Sequence, residues 1–175
     1  MPETHHQNTE NRPNNSDTNN RHHELPIEPE QSPDNLVVFQ ELSRELVLRQ
    51  EAQIAIDNED RIRHWRVLAE KAREKNLNRT QVRGLENVVN TAQSLSTILN
   101  YIYNQITRIK QWKGWGKELA DAFEEIPELA DKLIGANQEP SPFERAQRRQ
   151  SLILFLARGM TSHFVAYNLF LGSLS

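Results

Sequence analysis

The feature that most constrains this chain is its last thirty-odd residues. Ser141-Pro142-Phe143-Glu144 is a Ser-x-x-Glu capping box with proline at the first helical position, so a hydroxyl and a carboxylate can satisfy orphan amide donors there. From that start Phe143, Ala146, Gln150, Ile153, Ala157, Met160, Phe164, Tyr167 and Leu171 repeat at 3-4 spacing. Leu152, Phe155, Leu156, Ala166 and Phe170 widen the stripe until the helix reads as buried all round its middle. A helix of that kind needs neighbours on every side, so the chain reads as an all-α bundle built around its C-terminal helix.

The rest of the body supplies those neighbours. A helix over 37–56 carries Phe39, Leu42, Leu46, Val47 and Ile54 as its apolar stripe. The run Asp57-Asn58-Glu59-Asp60 supplies capping side chains and first-turn acids for a second helix bearing Ile62, Trp65, Leu68, Ala69 and Ala72, which ends near Lys75. Asn78 or Thr80 caps a third, with Val82, Leu85, Val89 and Ala92 on its apolar side. Its stripe slips in phase between Thr91 and Ser96 before resuming at Leu95, Ile98, Ile102, Ile106 and Ile109, which predicts a bend or two successive helices. Gly114 and Gly116 are expected to end that element, and Pro127 to kink or split a fourth helix over 117–134. About five helices result, with no alternating β-branched pattern anywhere.

Residues 1–34 stand apart. They hold five of the eight prolines, six asparagines, four of the six histidines and no aromatic residue, a composition unable to bury a core. They are expected to be a disordered leader preceding a single helical domain over 35–175. Two arginines against seven acids give the leader a net charge of −5, so within an overall −3 the body carries +2. There is no basic start followed by an apolar run, so the leader is not read as a signal peptide, and a cytoplasmic protein is expected. The absence of cysteine removes disulfides, thiolate metal sites and cysteine nucleophiles. Residues 87–107 carry no formal charge, yet eleven of the 21 are Asn, Gln, Ser or Thr, too many for a membrane span.

Catalytic and metal signals are weak. His5-His6 and His22-His23 fall in the leader, and Glu118, Asp121, Glu124, Glu125 and Glu128 read as a solvated helix face without a histidine partner. Lys113-Gly114-Trp115-Gly116-Lys117 lacks the leading glycine, the Ser/Thr after lysine and the preceding strand of a phosphate loop, so it reads as a turn. No enzyme, metal or cofactor is expected.

Two surface patterns are more specific. Arg63, Arg66, Arg73, Arg79 and Arg83 lie in a basic stretch, and Arg145, Arg148 and Arg149 open the last helix. Arginine forks suit phosphate oxygens, so these are candidate nucleic-acid contacts, although solvated helix faces explain them equally simply. The second pattern is Asn87, Asn90, Ser94, Thr97, Tyr101 and Asn104, an almost uncharged hydrogen-bonding ridge suited to a partner interface.

Thr80-Gln81-Val82-Arg83 opening a helix after a basic segment, with Phe143-Glu144-Arg145 and Val165-Ala166-Tyr167 to Gly172, resembles the small all-helical subunit of type III CRISPR RNA-guided effector complexes. The resemblance covers residues 78–110 and 141–172. It implies a non-catalytic antiviral-defence protein that assembles in copies with the other effector subunits and contacts the guide–target RNA through Arg79, Arg83, Arg145 and Arg149. The acidic leader and the first helix are additions to that pattern. A cytoplasmic helical adaptor that binds a protein partner without nucleic acid is the alternative reading.

Overall fold

The computed structural model describes residues 33–135 and 141–174. The leader, apart from its last two positions, lies outside the described residues. Seven α-helices follow one another: α1 (Pro33–Ile56), α2 (Glu59–Glu74), α3 (Arg79–Thr91), α4 (Leu95–Arg108), α5 (Trp115–Glu124), α6 (Ile126–Ile134) and α7 (Pro142–Ser173), with a 3₁₀ turn at Lys110–Trp112. The chain is all-α among the described residues. The helix number exceeds five because the two segments expected to bend are each divided.

Local chemistry sets those divisions. Asn58 caps α2, its side chain accepting from the Arg61 amide. Asn76, at φ 59°, ends α2 in a left-handed turn in which the Leu77 amide bonds Ala72 O and the Asn76 amide bonds Arg73 O. Asn78, rather than Thr80, caps α3 in a reciprocal box with Gln81. Ser94 then caps α4, so the phase slip marks a full break between two helices. Pro127 divides α5 from α6 as its missing amide requires.

Three boundaries differ from expectation. Proline at the first helical position lets α1 start at Pro33. Gly114 and Gly116 do not end the element before them, which stops at Arg108. Gly114 takes a left-handed φ of 91° to start α5, and Gly116 sits inside its first turn because any side chain there would strike Ile106.

α7 is the axis of the bundle, packed by α2, α3, α6 and α1 and touched by α4. α1 and α2 run along it in the same direction, α1 beside its N-terminal half and α2 beside its C-terminal half. Glu41 meets Arg148, Ile56 lies over Gly159, and Tyr167 reaches Glu70. α3 and α6 run against it, as Arg158 bonding Val89 O and Ala92 O and Arg149 bonding Asp131 show. Trp112, Trp115 and Phe164 continue the core from the turn into α7, with ring centroids 4.8 and 5.8 Å apart, and Trp65 meets Phe123 edge-on at 5.4 Å.

The stripe expected to bury α1 faces water instead. Phe39, Leu42, Leu46, Val47 and Ile54 are 55–72% exposed, while Leu48, Ala52 and Ile56 on the opposite side make the contact with the bundle. Phe143 and Phe170, assigned to the α7 stripe, are exposed as well, since each lies near an end of α7.

Gly159 permits the close approach of α1 to α7. A Cβ there would stand 2.4 Å from Ile56 Cδ1 and 3.1 Å from Ile56 Cγ1 and Cγ2. Gly159→Ala is expected to lower stability by about 1–3 kcal/mol, the cost of an extra methyl in a filled core, despite alanine's better helix propensity. Ile56→Val in that background should recover part of the loss. Urea unfolding midpoints measure both, and an unchanged midpoint for the first variant would show that Ile56 does not seal this position.

Candidate functional site

The arginines nominated by the sequence separate into two groups. Arg73 near the end of α2 and Arg79 opening α3 line a cleft of about 280 Å³ with Asn168, Leu169, Gly172 and Ser173 of α7. The Arg73 guanidinium lies over Gly172, with Nη1 3.3 Å from where a Cβ would sit, so only glycine lets it approach unhindered. Buried Asn168 donates from Nδ2 to Ala69 O at 3.2 Å, which ties α7 to α2 directly behind the cleft. Arg66, two turns before Arg73, lies 5.4 Å from the centroid of the Tyr167 ring. Arg83, one turn beyond Arg79, pairs with Glu86.

Arg145 and Arg149 are at the other end of α7. At 1.5 Å per residue, Arg145 and Gly172 are separated by about 40 Å along the helix. Arg149 makes a two-pronged ion pair with Asp131, at 2.6 and 2.8 Å, and Arg145 bonds Gly135 O at 3.3 Å, so both hold α6 onto α7. Their neighbour Arg148 is mostly buried and bonds Glu41 of α1 at 2.8 Å. Arg63, on the outer side of α2, pairs with Glu59 and Asp60. The candidate contacts therefore do not share one surface. Arg66, Arg73, Arg79 and Arg83 gather at the end of the bundle where α7 finishes, and Arg63, Arg145, Arg148 and Arg149 do not join them.

Two arginines outside the candidate set show the same structural use. Arg61 donates to Ala55 O, and Arg158 to Val89 O and Ala92 O, so they satisfy the last carbonyls of α1 and α3. A basic run in the sequence does not distinguish such capping groups from groups presented to a ligand.

The uncharged ridge is interrupted. Asn87 and Asn90 are exposed on α3, Thr97 and Asn104 on α4, and Ser94 lies in the break as the α4 cap, bonded to Ser96 at 2.8 Å and Thr97 at 3.0 Å. Tyr101 turns inward. It packs edge-on to Trp112 at 6.0 Å, and its hydroxyl is 2.9 Å from where a Cβ on Gly84 would be, so burial raises the phenol pKa. The 3-4 spacing assumed a continuous helix, which the Ser94 cap breaks.

Four of the five acids in the run are paired. Tyr103 donates to Glu124 at 2.8 Å, and that hydrogen bond raises its phenol pKa; Lys71 meets Glu118, Lys117 meets Asp121 and Lys132 meets Glu128. Among the described residues no three metal-ligating side chains converge, and no helix is long and apolar enough to cross a membrane. What the sequence reading missed is the outward face of α1, signalled by apolar residues on both sides of that helix.

No protein-family model, curated protein or solved structure matches the chain. Its function must be argued from the surfaces themselves.

The Asp131–Arg149 pair makes a testable contribution to stability. The hydrogen bond from Arg149 holds the Asp131 carboxyl below the usual carboxylate range. The pair therefore stabilises the fold above that range, and its contribution disappears as acidification protonates the folded carboxyl. Asp131→Asn should cost no more than about 1 kcal/mol near neutrality, because the pair is solvent-screened. Urea titrations of both proteins at several pH values should converge in acid, and a difference that persists there would refute the ion-pair origin.

Proposed function

We propose that the protein is a non-catalytic helical subunit that meets a nucleic-acid backbone with the basic end of its bundle, as the small subunit of type III CRISPR effector complexes does with a guide–target duplex. The observation that supports this reading is the convergence of Arg73 from α2 and Arg79 from α3 on one cleft at the end of α7. Arg66 and Arg83 extend the positive surface along the same two helices. Guanidinium groups that share one cleft can meet phosphate oxygens without reading bases. The reading assigns Arg145, Arg149 and Arg63 to internal ion pairs and caps rather than to ligand contact.

A second reading is favoured by a different observation. The outward apolar face of α1 suits a helical adaptor that binds a protein and no nucleic acid.

Fluorescence anisotropy of labelled single-stranded RNA and duplex with the full chain separates the two. The expected result is affinity that falls steeply with salt, as phosphate contacts require. Arg73→Ala with Arg79→Ala should weaken it about tenfold on every sequence and reduce the salt slope by roughly one per lost contact. Arg145→Ala should leave it unchanged. Absence of binding at low salt would overturn the nucleic-acid reading and leave the adaptor.

A further inference from the structure

α1 is apolar on two sides. One side, Leu48, Ala52 and Ile56, is buried in the bundle. The other presents Leu36, Phe39, Ser43, Leu46, Gln50 and Gln53 at strict 3-4 spacing, flanked by Leu42, Val47 and Ile54, and every one of these nine residues is exposed. The 19 residues from Leu36 to Ile54 extend about 27 Å, and no acid or base interrupts the seam. Arg49 lies beside it, and Arg44, Glu45 and Glu51 lie farther round the helix. That is the residue pattern of a two-helix seam rather than of a solvated helix.

The segments outside the described residues are poor in apolar side chains that could cover this face. Residues 1–32 contain Met1, Leu25 and Ile27 as their only large apolar side chains, and residues 136–140 contain none. An anionic lipid surface is disfavoured electrostatically, because the acidic leader enters α1 directly and the helix itself adds more acids than bases. Six apolar side chains at 49–72% exposure, taken at roughly 150 Å² apiece, amount to roughly 550 Å² of apolar surface. That is larger than an ordinary monomer leaves open in one patch. With Ser43, Gln50 and Gln53 it approaches the roughly 800 Å² that each partner contributes to a standard interface.

We propose that this face is covered by the α1 of a second copy, paired parallel and in register. The pattern itself favours that partner. In register, Leu36, Phe39 and Leu46 meet their own counterparts, and so do Ser43, Gln50 and Gln53, whereas antiparallel pairing about Leu46 sets Phe39 against Gln53. Matching polar with polar inside an apolar seam fixes register at some cost in stability. The same two-fold arrangement keeps every charge outside the seam, so like charges are not forced together in a desolvated contact. The inference does not depend on the nucleic-acid reading, since the α1 face and the arginine cleft are separate surfaces.

Sedimentation velocity of the full chain over a concentration series, together with a cysteine reporter, tests it. Native sequence should sediment as a concentration-dependent dimer, and Leu46→Glu as a monomer with unchanged circular dichroism and melting, because Leu46 contributes nothing to the core. The chain has no cysteine, so Ser43→Cys introduces a single thiol that in-register pairing brings against its twin. Mild oxidation should convert Ser43→Cys almost completely to a covalent dimer, and leave Asn100→Cys, exposed on α4, largely uncoupled. A native monomer at every concentration, or a dimer that survives Leu46→Glu, would overturn the proposal. Equal coupling of the two thiols, or none through Ser43→Cys in a protein that does dimerise, would overturn the parallel register.

Discussion

Everything in this bundle depends on enclosing the middle of α7. Between Leu152 and Val165 that helix is buried on nearly every side, with Ile153, Leu156, Ala157, Met160, Thr161 and Phe164 shielded from water. A helix in this position gives solvent only the narrow strip of Ser151, Arg158, Ser162 and Ala166, so its neighbours must approach from most directions. The sequence has small residues where approach is closest. Gly159 accepts Ile56, and Gly172 accepts the Arg73 guanidinium. Asn168, a polar side chain that does enter, is matched to Ala69 O. The covering helices are short because each needs to span only part of an axis some 48 Å long.

That architecture decides what the charged residues are for. Short helices packed on a long one create many helix ends inside or near the core, and each leaves orphan carbonyls or amides. Arg61 and Arg158 are used on carbonyls, Asn58, Asn78, Ser94 and Ser141 on amides. Arg148 and Arg149 fasten α1 and α6 to the start of α7, where the stripe has thinned and apolar contact is least. Arg73 and Arg79 are found where α2 ends, α3 begins and α7 finishes together. A surface that gathers cations there is a consequence of three helix termini meeting, and the same meeting makes it available to a ligand.

The sequence was legible where local chemistry and periodicity agree. The α7 start, the Asn58 and Asn78 caps, the break after Thr91 and the division at Pro127 all follow from side chains acting within four residues of themselves. At Ser141 the detail differs, since the serine hydroxyl accepts from the Glu144 amide and donates to its carboxylate at 2.8 Å, so the carboxylate bonds the hydroxyl rather than the backbone. Legibility failed where the deciding partner is distant. Periodicity located an apolar stripe on α1 but could not say that a second one, Leu48, Ala52 and Ile56, would win the bundle contact. That choice rests on Gly159, more than a hundred residues later, giving Ile56 room. The arginines failed for the same reason: Asp131, Glu41 and Gly135, the partners of Arg149, Arg148 and Arg145, are separated from them by 18, 107 and 10 positions. Tyr101 left its ridge because Trp112 and the bare Cα of Gly84 made a place for the ring.

The two surfaces left over are arranged so that neither obstructs the other. α1 lies along the first half of α7, and the arginine cleft lies at the far end of the second half. Because α1 and α7 point the same way, a parallel pairing of two α1 helices would aim both α7 C-termini, and both arginine clefts, toward the same side of the pair. On the proposed nucleic-acid reading, two such ends facing one direction would raise the effective concentration of the second contact once the first has formed, without any new interaction. Weak phosphate contacts through two or three arginines per copy would then suffice. In an antiparallel pair the same clefts would face opposite ways and give no such gain, so the polarity of one exposed helix bears directly on how a surface at the far end of the bundle could work.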